Sequence, residues 1–418
     1  MKSKFKILVI VTEFPSVTET FILNQITDLI DRGNDVTVFS YNKSKNIFVH
    51  KLFKDYNLGL KTITHFKNKG SKWEVFKEAF SFFLKHKKKI SIVKVMKLLS
   101  PFNWKNKLEK LKVYYDLPLF LFSETFDIVH VHFGSNGRKI AAALKFKICP
   151  TSKAVLSFHG SDLTPSKIDI YKETYKDVFK YFDAFTINSI YLKDILLEVN
   201  PTIKNSYIIP DGFKKEYLMP FLNKHIKSTT FDIVFCGRLV SWKGPDKAIE
   251  IIKKLIDSGY FDIVLHLIGS GEMETELKKM ILDLNLEKNV ILYGALSQED
   301  VFKIMAKSDV FLLPGISDKT TKRSEAQGLV LQEAQFFGLP VITSDVGGVK
   351  YGMQSGIRGF LIEHENDANT FVEKISLLYN DKSLKESIGK AGNNYALKTF
   401  ESKILGDKLI EIYNQISQ

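Results

Sequence analysis

Residues 7–39, ILVIVTEFPSVTETFILNQITDLIDRGNDVTVF, contain one strand, one helix and the start of a second strand. Residues 7–11 form an uninterrupted apolar run of strand length. Ser16 and Glu19 have the spacing of a capping box, and Phe21, Ile22, Ile26, Leu29 and Ile30 recur at the helical period. Gly33 marks the stop, and residues 36–39 begin the next strand. A strand with no polar face must be covered on both sides, so the unit predicts a parallel sheet layered with helices.

The alternation continues to the end of the chain. Strands are expected at 128–133, 154–158, 184–187 and 207–209 in a first sheet. A second set is expected at 233–236, 263–268, 290–293, 310–313, 341–343 and 360–362, with a helix opening at Pro245, a favoured first-turn residue. Between them, 219–230 is polar and irregular and is read as a linker. The expected fold is α/β, two doubly wound Rossmann-like domains at 1–218 and 231–395, with a helix at 396–418 returning to the first. In such sheets the chemistry belongs to the loops after the strands.

Composition narrows the class. The chain of 418 residues is 44% hydrophobic, a globular balance, and its two cysteines, Cys149 and Cys236, are too few for a disulfide framework or a four-ligand zinc site. A cytoplasmic setting follows. The five apolar residues before Thr12 are too few for a signal-peptide core, and no run reaches the length of a membrane-spanning helix.

The net charge of +13 is concentrated, because 61–112 holds 15 lysines against Glu74, Glu78 and Glu109. There Trp73, Phe76, Phe80 and Phe83 recur at helical spacing, followed by Lys85, Lys87, Lys88 and Lys89. The pattern has two readings, a helix with an aromatic core face and solvated lysines, or an amphipathic surface for an anionic membrane. Nucleic acid ranks below both, since the sequence contains no recognisable nucleic-acid-binding module.

Three constellations fall at expected strand ends. The first, Cys236-Gly-Arg-Leu-Val-Ser-Trp-Lys-Gly244, places Arg238 and Lys243 beside Gly237, which suits a diphosphate better than a turn with two solvated cations. The second, Gly269-Ser-Gly271, resembles a dinucleotide fingerprint but has Glu274 where the third glycine belongs. The third, Glu325-Ala-Gln-Gly-Leu-Val-Leu-Gln-Glu333, carries two acids eight apart. Glu325 in a loop can accept from sugar hydroxyls, and Glu333 on the following helix from a ribose diol. The N–H groups of Gly328 and Leu329 would open that helix toward an anion. No P-loop and no D-x-D pair occurs, so diphosphate charge falls to cations and helix ends and no metal site is expected.

Glu-x7-Glu, with Gly-Arg-x4-Lys-Gly upstream and Asp345-Val-Gly-Gly348 downstream, resembles the retaining group-1 (family 4) glycosyltransferases of GT-B fold. The stretch from Glu13 to Ile22 is similar to bacterial exopolysaccharide and lipopolysaccharide members. The resemblance implies a UDP- or GDP-sugar donor on the second domain, a glycan or lipid-linked acceptor on the first, and no other cofactor. It implies that Arg238 and Lys243 stabilise the diphosphate, that Glu325 holds the donor sugar and Glu333 the ribose, and that His159 of His159-Gly-Ser-Asp162 reaches the sugar across the cleft. Glu13 and Glu19 fall on the acceptor side, and His130 and His132 are supporting residues. Two departures stand out: Ala326 replaces the usual glycine, and 317–323 is unusually basic. A peripheral enzyme on the inner face of the cytoplasmic membrane is the overall expectation. The alternatives are a catalytically silent sugar-nucleotide-binding subunit and a GT-B epimerase.

Overall fold

A computed structural model describes residues 4–16, 19–44, 50–66, 71–99, 107–222, 229–363 and 367–418. Two sheets result, both wholly parallel in their pairings. The first contains β1 (Lys6–Phe14), β2 (Asp35–Lys43), β3 (Thr62–Thr64), β4 (Phe126–His132), β5 (Thr151–Phe158), β6 (Ala184–Ile187) and β7 (Ser206–Ile208). Its order is β3-β2-β1-β4-β5-β6-β7, so the winding reverses between β1 and β4. The second contains β8 (Phe231–Cys236), β9 (Ile263–Ile268), β10 (Val290–Gly294), β11 (Val310–Leu313), β12 (Val341–Ser344) and β13 (Gly359–Ile362). Its order, β10-β9-β8-β11-β12-β13, reverses between β8 and β11. Both are Rossmann-like, and together they form the GT-B architecture.

Ile7, Leu8, Val9 and Ile10 of β1 are fully buried, as a strand covered on both faces requires. The first helix, Thr20–Asp31, buries Ile22, Leu23, Ile26 and Leu29. The capping box expected from Ser16 and Glu19 does not form, because β1 runs on to Phe14 and the helix starts at Thr20 with Glu19 itself at the cap, making no capping bond. The short strand β3 was not anticipated.

The expected linker at 219–230 continues the helix Lys215–Leu218 as a single turn, Met219–Phe221, and its residues 223–228 lie outside the described residues. Position 396 lies inside the helix Lys382–Thr399, so the chain crosses back later than expected. The crossing is fixed where Phe213 N–H donates to Phe400 O (3.0 Å) and Ser402 N–H to Phe213 O (2.9 Å). Helix Ser402–Ser417 then packs on Thr20–Asp31. Arg32 joins the two through Asp28 (2.7 Å) and Asp407 (2.5 Å), and the Tyr413 hydroxyl meets His130 Nδ1 at 2.6 Å.

The lysine-rich segment forms helices Lys72–Lys85, Ile92–Leu99 and Lys107–Asp116, with 67–70 and 100–106 outside the described residues. Its aromatic stripe faces solvent: Trp73, Phe76 and Phe80 are 63%, 58% and 57% exposed and stack in a ladder, with centroids 5.7 and 6.2 Å apart. Phe82, packed between Phe66 and Phe122, and the half-buried Phe83 anchor the segment to the core, so the core reading fails for Trp73, Phe76 and Phe80 and holds for Phe83. Among the described residues, no helix is long and apolar enough to cross a membrane.

Candidate active site

The carboxyl ends of β8, β9, β11 and β12 bring the three constellations together. After β8, Gly237 donates its N–H to Ile268 O (3.0 Å), and Gly269 donates to Gly294 O (2.9 Å). Both N–H groups are therefore engaged within the sheet. The glycines serve a different need: a Cβ on Gly269 would lie 1.8 Å from Gly237 O, and one on Gly271 2.2 Å from Leu239 O. Only glycine lets the two loops close on each other, with Leu239 N–H to Ser270 O and Met273 N–H to Leu239 O as the stitches.

That stitching aims Arg238, Trp242 and Lys243 outward along one rim. Lys243 Nζ pairs with Glu325 and lies 4.8 Å from the Trp242 ring centre, and Arg238 sits 5.4 Å from the same ring. Arg323, which the sequence reading grouped only as part of a basic loop, approaches the ring from 5.6 Å. Its loop is folded on Asp318, which accepts from the N–H groups of Thr320 and Thr321, while Asp318 N–H donates to Arg323 O (2.8 Å). Burial and then Arg323 depress the Arg238 guanidinium, and Glu325 opposes them. Three cations thus converge on one indole and one carboxylate pairs with Lys243, an excess of two positive charges that a bound diphosphate would neutralise.

Glu325 is held from behind, where Gly348 N–H donates to Glu325 O (2.8 Å). Gly328 caps the helix Leu329–Phe336, and Glu333 lies buried on that helix. Burial raises the Glu333 carboxyl to about 8, and the Gln298 amide, donating at 3.0 Å, partly offsets this. Gln298 in turn accepts from His50 Nε2 of the first half, whose Nδ1 accepts from Leu52 N–H (3.1 Å). Neither Gln298 nor His50 has a local sequence signal, because the relay spans 248 positions.

Across the cleft, β5 ends at Phe158 and His159 follows it. Asp162 accepts from the N–H groups of His159 (3.0 Å) and Gly160 (3.1 Å), which fixes the turn. His159 Nδ1 donates to Asp211 (3.2 Å), and its Nε2 meets His132 Nδ1 at 3.0 Å. Burial would depress His159, yet Asp211, Asp162 and Glu19 together raise it. His130 bridges Tyr413 and Ser157 inside the sheet, and burial takes it down to about 3. Gly160 has φ +105°, and a Cβ there would meet the Ala326 methyl at 2.7 Å. The alanine that departs from the family pattern is accommodated because the facing residue has no side chain. Gln327 completes the contact, donating to Asp211 O (2.8 Å) and accepting from Asp211 N–H (2.6 Å).

Glu13 is the next-to-last residue of β1, and Glu19 feels both Glu13 and His159. Burial raises the Glu19 carboxyl to about 7, against the pull of His159 and with help from Glu13. Among the described residues no cluster of three or more metal-ligating side chains occurs.

Residues 222–395 match the family model for glycosyl transferases group 1. The UDP-Gal:alpha-D-GlcNAc-diphosphoundecaprenol alpha-1,3-galactosyltransferase of Escherichia coli is 30% identical over 313 residues, 69% of this chain and 76% of that one. This chain belongs to the group 1 glycosyltransferases. Another relative, the amylovoran biosynthesis glycosyltransferase AmsK of Erwinia amylovora, is 28% identical over 365 residues, 85% of this chain and 86% of that one. Among solved structures, Anabaena HepE in complex with UDP and glucose has a TM-score of 0.70 at 16% identity, covering 97% of this group 1 chain and 98% of its own, a likeness of fold.

Proposed function

We propose that the protein transfers a sugar, with retention of configuration, from a nucleoside-diphosphate sugar to a glycan or lipid-linked glycan in bacterial surface polysaccharide biosynthesis. The convergence of Arg238, Lys243, Arg323 and Glu325 on Trp242, opposite His159, carries the reading. The relatives support its finer part, one being named for a UDP-Gal donor and a diphosphoundecaprenol acceptor and another for amylovoran biosynthesis. The proposed donor is a hexosyl sugar on UDP or GDP.

In this mechanism the bond from the anomeric carbon to the phosphate oxygen breaks as the acceptor hydroxyl bonds on the same face, and the hydroxyl proton passes to the leaving oxygen. The three cations oppose the negative charge that grows on the diphosphate. Glu325, drawn from its pairing with Lys243, accepts from the sugar hydroxyls, and His159 contacts the sugar from the first domain. No side-chain nucleophile, metal or further cofactor is invoked. Incubation with labelled UDP- and GDP-sugars plus membrane-extracted acceptor tests this. Transfer that survives EDTA is expected, whereas binding without turnover would favour the silent subunit and a changed sugar the epimerase.

Glu325 and Glu333 should separate by role. Glu333→Ala is expected to weaken binding of the free nucleoside diphosphate by about tenfold to a hundredfold, the worth of a charge-assisted bond pair. Glu325→Ala should leave that affinity no weaker, since it frees Lys243 for the phosphates, while transfer falls. Ribose hydroxyls donate to ionised Glu333, whose carboxyl stands raised to about 8. Binding therefore releases a proton below that value, and affinity should climb from pH 6 to pH 8 and then level. Glu333→Gln should flatten the climb, and an unchanged slope in that variant would remove Glu333 from the ribose.

The protein's place in this reading is the cytoplasm, against the inner face of the cytoplasmic membrane. The exposed Trp73, Phe76 and Phe80 ladder beside Lys85, Lys87, Lys88 and Lys89 is the proposed contact with anionic lipid.

A further inference from the structure

A second concavity, of about 270 Å³, opens at the point where the first sheet reverses its winding. Its walls include Thr12 from β1, Tyr41 and Asn42 from β2, and Ser135, Arg138 and Lys139 from the opening turns of the helix Gly134–Lys145 that follows β4. The site lies on the Thr12 side of β1 and shares no lining residue with the Glu13, Glu19 and His159 group.

The chemistry of the walls is one-sided. Lys139 Nζ sits 3.7 Å above the Tyr41 ring, and its charge is disfavoured by burial, supported by Asp116 and opposed by Arg138 and Lys112. Two cations, Arg138 and Lys139, therefore line the cavity with no acid among its walls, while Lys112 and Asp116 act on Lys139 from beyond them. The Tyr41 hydroxyl is buried without a hydrogen-bond partner, although a phenol in a polar cavity normally has one. Asn136 is already engaged by the Thr12 hydroxyl (3.0 Å) and His132 O (2.9 Å), so it positions the helix start. The helix end is already capped, Gly134 N–H donating to Asp162 (2.8 Å), so it is the orphaned Tyr41 donor and the two cations Arg138 and Lys139 that seek an acceptor-only, negatively charged group.

We propose that this cavity binds the phosphate or diphosphate of a phosphorylated acceptor, with Arg138 and Lys139 on its oxygens and the Tyr41 hydroxyl as a third donor. Making that ligand the acceptor rests on the transferase reading, because the donor diphosphate is assigned to the other domain. The position agrees: Asp116 and Lys112, which act on Lys139, belong to the helix Lys107–Asp116 of the lysine-rich segment proposed to face the membrane. A lipid-linked acceptor would thus present its phosphate close to the surface that carries it.

Calorimetric titration with geranyl diphosphate tests the assignment in an Arg238→Ala/Lys243→Ala background, which removes the donor diphosphate site. Adding Arg138→Gln and Lys139→Gln should weaken binding by about a hundredfold, the loss of two charge-assisted contacts. Tyr41→Phe, which keeps the ring under Lys139, should weaken it severalfold. Inorganic pyrophosphate should lose affinity in parallel, and adsorption to phosphatidylglycerol vesicles should not change. Unchanged geranyl diphosphate affinity in the Arg138/Lys139 variant overturns the proposal, as does a loss confined to vesicle adsorption, which would make these cations part of the membrane contact. The titration contains no sugar nucleotide, so a negative result refutes the cavity assignment while wild-type sugar transfer, measured separately, decides the function.

Discussion

Lys243→Ala, assayed with its productive sugar nucleotide, is expected to turn over about a hundredfold or more slowly than wild type, with its thermal midpoint little changed. The lysine reaches Glu325 across the rim and stands over the Trp242 ring, so its charge is aimed at the place where the diphosphate develops negative charge. Arg238→Ala should act similarly, because that side chain is crowded by Arg323, Glu325 opposes this, and a bound diphosphate would relieve it further. Arg323→Ala should cost less, since it removes both a contact and a repulsion. One complication is built into the site: Lys243→Ala leaves Glu325 without its partner. The double variant Lys243→Ala/Glu325→Ala separates the two effects. Read on free nucleoside-diphosphate affinity, to which Glu325 does not contribute, the double variant recovers binding if the loss came from a stranded carboxylate and does not if it came from the missing cation. Near-wild-type turnover in Lys243→Ala would end the assignment of this rim to the diphosphate.

The strands were legible because buried parallel strands leave continuous apolar runs, and every run expected in the two halves became a strand. Signals that depend on where a strand ends were less secure. Ser16 and Glu19 have capping-box spacing, but three further ladder residues, Thr12, Glu13 and Phe14, extend β1 and move the helix start to Thr20. The pattern forms instead at Ser71 and Glu74, where both reciprocal bonds are made. The motif glycines show a similar limit. Their positions were readable, but whether Gly237 and Gly269 approach a ligand or each other depends on the sheet register, which pairs Cys236 with Ile268. Ala326 and Gly160, 166 positions apart in numbering, fit only as a pair. Arg323 was missed as a site residue because a loop cation has no periodicity, and only the fold on Asp318 aims it at Trp242. The aromatic stripe exposes the same gap, since helical spacing tells which residues share a face and not what covers that face.

For that stripe the expected result is loss of membrane binding by two chemically different routes. Replacing Lys85, Lys87, Lys88 and Lys89 with Gln should lower partitioning onto anionic liposomes by several hundredfold at low salt, at roughly 1 kcal/mol per lysine. All four are exposed, and Lys87 to Lys89 form a single turn directly after the aromatic helix, so no core contact is lost. Replacing Trp73, Phe76 and Phe80 with Ser should cost a comparable amount, since each ring is more than half exposed and can bury enough area for about 1 to 2 kcal/mol. Salt separates the two: the lysine contribution fades as the Debye length shrinks to about 3 Å at 1 M, and the aromatic contribution does not. Wild type should therefore keep part of its binding in high salt, the lysine variant should match it there, and the aromatic variant should be released. Transfer to a short water-soluble acceptor should be unchanged in both, because neither set of residues belongs to the donor rim. If both variants sediment with liposomes as wild type does, the ladder is a solvent-facing helix surface and the membrane contact lies elsewhere.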